Sequence, residues 1–470
     1  MIHTIAKAIQ KLRWMMKQKT TLRLAAAILA VTATGGSATA MTTEYLTYDN
    51  GFTIELNFYD ADDWNLDSIS PVFASENHFD FTENMKNAIR SATDYWGNIL
   101  AKGAKTTQPV QIFIRSDGGN YGSAFAGLEQ NAPNTEWFIA DQIIKGKVLL
   151  PYNGTDQYTK LPDTEPMAFG VASYTRGITS ADVSTNYGWN TNIIHGITGD
   201  NGNSAIWRNL MGTTVHELSH IFGFNRHNHY MTEHMSDYYG NTYSLYKLPL
   251  TSELYTYYTG EKPGLNQYFV IVDSMADALA DSEEYAKFFA HPETYFLYFT
   301  GDHVAEVLDG AILLGKANVI PIQGFELGEF DGNHCMIDSM MGHRTWMTYS
   351  MPIEADLAML QDIGYNIDRK AYFGYSLYDS NRTETVTTGY SARNDEGTAY
   401  TGEYSNISYG VGLHIYGSDN TVTKKGNILT KGDAATGILV SGVRNTVTVD
   451  EGTEIHADGD YGVGVQAAYG

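Results

Sequence analysis

Residues 214–224 contain two histidines whose spacing suits a metal ion. His216 and His220 are four positions apart, so on an α-helix they lie on one face and can bind the same ion. Glu217 lies beside them, where a carboxylate can deprotonate a metal-bound water. Gly223 predicts the end of the helix. The pattern predicts a zinc site, although an amphipathic core helix with two polar residues at its edge would also fit it.

Two later segments extend this pattern. Residues 331–343 read Asp-Gly-Asn-His-Cys-Met-Ile-Asp-Ser-Met-Met-Gly-His, and residues 357–365 read Leu-Ala-Met-Leu-Gln-Asp-Ile-Gly-Tyr. With the His-Glu-x-x-His helix, they resemble the leishmanolysin-like branch of the metzincin zinc peptidases, over roughly residues 204–372. In that branch a long insertion precedes the third ligand, and a helix like the second segment closes the domain.

The resemblance implies specific roles for several side chains. Zinc would be bound by three histidines, His216, His220 and His334, with Glu217 as the general base. Met341 would be the Met-turn residue beneath the metal. His343 lies where some metzincins place an oxyanion-stabilising Tyr, so it would contact the oxyanion or the substrate, or be an ordinary surface residue.

Other ligand sets remain open from the sequence. The compact metzincin pattern places its third His at the position of Arg226, so the nearby His227 is an alternative to His334. A gluzincin would instead use a downstream acid such as Glu253. Cys335 follows His334 directly and is interpreted as a small packing residue. Two further histidines, His229 and His234, are interpreted as loop residues that contact substrate.

The periodicity of residues 41–372 predicts one mixed α/β unit, and the family resemblance implies that it is an α+β, metzincin-like peptidase domain. Alternation predicts strands at 52–58 and 110–114 and a further strand near 167–174. Helical spacing of apolar residues predicts helices at 81–100 and 353–365, the second ending at Gly364. Residues 224–265 are predicted to form loops over the site.

The composition changes after about residue 373 to Gly, Thr, Ser, Asn and Val. A repeat with a period of 25 relates Gly412, Gly437 and Gly462, and also relates Asn420 to Asn445. Short β-rich repeats of this kind predict a right-handed parallel β-solenoid (β-helix) over 400–470, with tight corners at the glycines. Leu413 should then lie over Ile438, and Val422 over Val447. Residues 373–399 are predicted to be a linker that leaves the two parts separable.

The first forty residues predict an export signal. Six of the 30 Lys and Arg residues lie there with no acidic residue, followed by a short apolar stretch over 24–33 and the small-x-small site 38–40. The mature chain would begin near Met41. The remaining 24 basic residues face all 54 acidic ones, a balance that excludes a general role in nucleic-acid binding. The only cysteine, Cys335, excludes an intramolecular disulfide.

The long basic region resembles the extended signal peptides of Gram-negative autotransporters. That resemblance implies a secreted or surface-displayed passenger, with an outer-membrane barrel in a further C-terminal part of the natural protein. The chain itself contains no predicted transmembrane helix. The function expected is zinc-dependent endoproteolysis of protein or peptide substrates, including host or matrix proteins. The alternative is a surface adhesin that uses a catalytically weak peptidase fold for binding.

Overall fold

The computed structural model describes two extended parts of the chain and shorter pieces between them. The described residues are 42–58, 81, 83–104, 109–117, 123–126, 145–151, 210–224, 231, 233–236, 297–313, 315–322, 325–326, 329–330, 334–335, 339–341 and 351–467. The export signal, the strand expected at 167–174 and most of the predicted loop segment 224–265 lie outside them.

A five-stranded mixed sheet forms the N-terminal part. Its strands are β1 (Thr42–Thr47), β2 (Thr53–Phe58), β3 (Val110–Asp117), β4 (Ser123–Ala126) and β5 (Lys145–Pro151), in the order β1-β2-β3-β5-β4. The three middle strands, β2, β3 and β5, are parallel, and the outer strands are antiparallel to their neighbours. Ile54 and Leu56 alternate with polar residues and are buried, as expected for a strand with one face on the core.

Two helices pack together in the same part of the molecule. They are α1 (Glu83–Ala101) and α2 (Leu210–Phe222), which carries the His-Glu-x-x-His motif. Trp96 of α1 is fully buried, and its indole Nε1 donates a hydrogen bond to the carbonyl oxygen of Val215 at 3.0 Å. This bond fixes the position of α2 against α1. Among the described residues, no helix combines the length and apolar character required to cross a membrane.

Short elements connect α2 to the end of the predicted peptidase domain. They are β6 (Met235–Ser236), β7 (Leu297–Phe299), α3 (Asp302–Leu308), β8 (Ile312–Leu313), β9 (Lys316–Ala317), β10 (Ile320–Ile322), β11 (Phe325–Glu326), β12 (Glu329–Phe330) and α4 (Glu354–Asp362). Helix α4 falls inside the helix predicted at 353–365, and Gly364 follows it with a φ of 113°. Seven of its nine residues are buried, so α4 is a core helix.

Three parallel sheets make up the C-terminal part. Their strands are β13 (Phe373–Leu377), β14 (Thr383–Val386), β15 (Val411–Ile415), β16 (Thr421–Lys424), β17 (Ile428–Thr430), β18 (Thr436–Val440), β19 (Thr446–Val449), β20 (Ile455–Ala457) and β21 (Val463–Ala467). The strand orders are β13-β15-β18-β21, β14-β16-β19 and β17-β20. A separate apolar cluster fills the space between these sheets.

The residue pairs expected from the repeat are partners in these ladders. Leu413 pairs with Ile438, and Val422 pairs with Val447. The repeated asparagines also stack, because the backbone N–H of Asn420 donates to Oδ1 of Asn445 at 2.9 Å. Each strand therefore supports the next in register. The right-handed solenoid itself stays a prediction.

Two predictions about the repeated glycines, their alignment and their place at tight corners, are wrong. The strand register aligns Val465, and not Val463, with Ile438, so Gly464 is the equivalent of Gly437 and the third repeat is two residues longer. Gly437 lies inside a strand and has no positive φ. It is required by close packing, because a Cβ there would collide with the carbonyl oxygen of Gly464 and with Ile455.

Residues 373–399 differ from the linker that the composition predicted. They contain β13 and β14, which are the first strands of two of the parallel sheets. Phe373 pairs with Val411, 38 positions later, so the first repeat has a longer loop and does not show the period of 25. The hydrophobic core also runs without a break from the N-terminal sheet to Phe373 and Val411. The predicted separability of the two parts does not fit this continuous core.

Gly437 and Gly464 provide a direct test of this close packing. We expect Gly437→Ala to destabilise the chain by about 1–3 kcal/mol, because the added methyl group overpacks the space between adjacent strands. Gly464→Ala is the matched control, since nothing lies within 4 Å of a Cβ at that position. Urea unfolding followed by circular dichroism measures both. Equal stability of the two variants would contradict the packing described here.

Candidate metal centre

Helix α2 presents both motif histidines from one buried helix. Its apolar residues Val215, Leu218 and Ile221 are buried in the core, which fixes the rotation of the helix about its axis. The helix ends at Phe222, and Gly223 has a φ of 143°, a conformation that favours glycine. The backbone N–H of Phe224 then donates to the carbonyl oxygen of Ser219 at 3.0 Å. This helix end agrees with the sequence prediction.

Three histidines meet at one point of the structure. The Nε2 atom of His216 lies 3.1 Å from Nε2 of His220 and 3.3 Å from Nε2 of His334. One ligand atom from each of the three residues lies within 4.8 Å of the others. Among the described residues, this is the only group of three or more His, Cys, Asp or Glu side chains with a geometry that could hold a metal ion.

Hydrogen bonds at the far side of two rings determine their tautomers. Nδ1 of His216 lies 2.7 Å from the carbonyl oxygen of Met340, and Nδ1 of His220 lies 2.6 Å from that of Phe224. A carbonyl can only accept, so both Nδ1 atoms carry the proton and a neutral ring has its lone pair on Nε2. Two such lone pairs at 3.1 Å repel each other unless a cation or proton lies between them. Neutral imidazoles held by carbonyls in this way are typical zinc ligands.

Glu217 directly follows His216 in α2, and its carboxyl group is buried. Only 2 % of the residue is exposed, and its Oε2 atom has no hydrogen-bond partner within the described part of the chain. Burial raises the pKa of Glu217 well above the usual value for a glutamate. A buried carboxylate without a partner is costly for folding, and a neighbouring cation would offset this cost. The three-imidazole donor set and the buried Oε2 of Glu217 both fit a zinc ion.

A short segment, which we call the Met-loop (residues 339–341), holds two of the histidines. The carbonyl of Met340 accepts the bond from His216, and the carbonyl of Met341 accepts from the backbone N–H of Cys335, next to His334, at 2.9 Å. Met341 is fully buried. The structure therefore joins Met341 to the residue that follows His334, and the Met-turn role of Met341 stays a prediction.

Helix α4 packs against Cys335 and interacts with Ser339 of the Met-loop, contacts that no sequence pattern predicted. Cys335 Sγ lies 3.8 Å from Met359 Sδ, so this cysteine packs in the core, as expected. Asp356 is fully buried, and burial raises its pKa to about 7, while the hydroxyl of Ser339 opposes this rise. Its Oδ2 accepts a hydrogen bond from the N–H of Ile353 at 2.9 Å. An Asp in the first turn of a helix was the signal available in the sequence.

The remaining candidate residues lie elsewhere or outside the described residues. Four of them lie outside the described residues: His227, His229, Glu253 and His343. His234 is described and lies away from the cluster, because its Nδ1 is 2.7 Å from the carbonyl oxygen of Thr300. It lines a polar cleft of about 610 Å³ together with residues of α3 and the end of α4. It is therefore not part of the three-histidine cluster.

Comparisons with known proteins add no relative. No protein-family model, curated protein or solved structure matches this chain.

Proposed function

We propose that this chain is an exported zinc endopeptidase of the leishmanolysin-like metzincin type. The observation that carries the proposal is the convergence of His216, His220 and His334 on one point, with Glu217 directly after His216 in α2 and its buried Oε2 without a described hydrogen-bond partner. Two of these histidines are four residues apart, but the third comes from a segment more than a hundred residues away. A structural core histidine pair would not need this third imidazole.

The chemistry follows from the roles of these side chains. Bound by the three imidazoles, Zn²⁺ would supply Lewis acidity, lowering the pKa of a bound water and polarising the scissile carbonyl. Glu217 accepts a proton from the attacking water and later gives it to the leaving amine. The burial that raises its pKa makes its carboxylate a stronger base. The Met-loop holds the His216 ring in the tautomer that directs Nε2 to the metal.

The substrates of this proposal are proteins or peptides outside the cell. The basic N-terminal segment and the low cysteine content suit an exported bacterial protein. The parallel C-terminal sheets, proposed as the start of a β-solenoid, would hold the peptidase away from the bacterial surface. This part of the proposal depends on the resemblance to autotransporter passengers, and it includes host or matrix proteins as targets.

A surface adhesin is the second candidate function. An adhesin would use the same fold for binding, and it would not require a buried glutamate within the His-Glu-x-x-His motif. A gluzincin with Glu253 as ligand is less well supported, because His334 lies where the third ligand would be needed. The presence of Glu217 in the motif therefore favours an enzyme over a binding module.

Removal of the metal tests the proposal. We expect the purified chain, starting at Met41, to bind about one zinc and to hydrolyse casein. A strong zinc chelator should abolish hydrolysis, and one equivalent of Zn²⁺ should restore it, whereas Mg²⁺ should not, because imidazole ligands select zinc over hard cations. Hydrolysis by the zinc-free protein would contradict the proposal. A chain that binds zinc but cleaves no peptide would favour the adhesin.

A further inference from the structure

Helix α4 lies between the metal centre and the C-terminal sheets. On one side its Met359 Sδ lies 3.8 Å from Sγ of Cys335, the residue after His334, and its buried Asp356 interacts with the hydroxyl of Ser339 in the Met-loop. On the other side it contacts the residues that lead into β13. Helix α4 therefore contacts both the segments around the metal centre and the chain that enters the C-terminal sheets.

The contact with the C-terminal sheets is made by a buried tyrosine. Tyr378 directly follows β13, and its hydroxyl oxygen accepts a hydrogen bond from the backbone N–H of Ala355 at 2.9 Å. Ala355 lies in the first turn of α4, where backbone N–H groups have no partner within the helix. The ring of Tyr378 is in turn packed against His414 and Tyr416 of the next repeat. Tyr378 therefore packs against the C-terminal sheets with its ring and binds the first turn of α4 with its hydroxyl.

Charged side chains strengthen the same contact. Glu354, the first residue of α4, is buried, and its Oε1 accepts hydrogen bonds at 2.9 Å from Arg369 and Lys370, which precede β13. Arg369 is also buried and donates to Gln361, near the end of α4, at 2.8 Å. Both ends of α4 are therefore fixed to the chain that enters the parallel sheets.

A second route joins the sheets to the metal-binding helix. The ring of Tyr95 on α1 makes edge contacts with Tyr372 and Tyr409, at centroid distances of 5.9 and 5.7 Å. The adjacent Trp96 donates its hydrogen bond to Val215 of α2. The C-terminal part thus contacts α1, which packs against α2, and α4, which packs against Cys335. Helix α2 contains His216 and His220, and Cys335 follows His334.

We infer that Tyr378 is a positioning residue for the metal centre, acting through α4 and the Met-loop, so that the catalytic unit extends past residue 372 into the parallel sheets. This inference rests on the proposed metal site. The hydroxyl of Tyr378 fixes the first turn of α4, and with it Asp356 and the Met-loop. The Met-loop orients His216 and the segment of His334. The C-terminal sheets are part of the peptidase and not only its support.

The test uses the full chain with Co²⁺ as a spectroscopic substitute for zinc. Tyr378→Phe keeps the ring and removes only the hydroxyl that accepts from Ala355. We expect a changed Co²⁺ absorption band and metal release to a chelator that is about three- to tenfold faster, less than the loss typical of groups bonded directly to ligands. Tyr404→Phe is the matched control, since it also removes a tyrosine hydroxyl contact, at 2.7 Å to Nδ1 of His456, but both residues belong to the C-terminal part and neither has a described contact with α4.

A second variant guards against a merely structural effect. Asp356→Asn keeps an acceptor for the N–H of Ile353, and it should alter the Co²⁺ band in the same way as Tyr378→Phe. A parent-like band and release rate in Tyr378→Phe would overturn the inference, as would an equal change in Tyr404→Phe. Neither measurement requires hydrolysis, so failure of the peptidase proposal and failure of this inference are separate results.

Discussion

Glu217→Gln should abolish peptide hydrolysis and leave zinc bound. Glutamine has nearly the same shape but cannot accept the proton from the attacking water, so only proton transfer should fail. Loss of a general base typically lowers the rate by about 10²–10⁴-fold. The histidine ligands are unchanged by the substitution. Casein or peptide hydrolysis, with zinc content measured on the same preparation, checks both parts of the expectation.

Glu403→Gln is the matched control for this change. Glu403 is exposed and lies outside the metal centre, so the same loss of one negative charge should leave hydrolysis as in the parent. Activity of Glu217→Gln within about threefold of the parent would contradict the assignment, because that difference is far below the general-base contribution. A parent without activity would instead support the adhesin alternative.

The sequence predicted those parts of the site that depend on local periodicity. The helical spacing of His216 and His220 and the glycine at position 223 define α2, and the same kind of pattern defined α4. These signals are short-range, because a helix is determined largely by residues three and four apart. The approach of His334 to this pair came from the family resemblance, since no spacing within the chain relates segments so far apart.

The supports of the site could not be predicted in this way. The bond between Tyr378 and Ala355 and the packing of Met359 on Cys335 arise only when separate segments meet in the folded chain. The linker prediction for 373–399 follows from the break in the apolar pattern near residues 380–396. The first repeat is longer than the period of 25, which hides its register in the sequence. A polar composition gave no sign that Phe373 and Val386 are buried. Pairing between strands, and not composition, decides whether such a segment is structured.

The choice of third ligand leads to the second large expected effect. His334→Ala removes one of three imidazoles, and we expect zinc affinity to fall by at least about 100-fold, more than the 10- to 100-fold loss typical of residues that only support ligands. His334 is 9 % exposed and its Nε2 lies 3.3 Å from Nε2 of His216, so its loss removes a ligand atom from inside the cluster. Zinc content after dialysis against a weak chelator measures the effect.

Two other histidines serve as comparisons for His334→Ala. His227→Ala tests the alternative ligand from the sequence, and His234→Ala tests a histidine whose Nδ1 is bonded to Thr300 away from the cluster. Both should retain zinc and hydrolysis close to the parent. Full zinc occupancy in His334→Ala, together with zinc loss in His227→Ala, would show that the metal is bound by His216, His220 and His227. The carbonyl bonds that prepare His216 and His220 would then serve a ligand set of the compact metzincin kind.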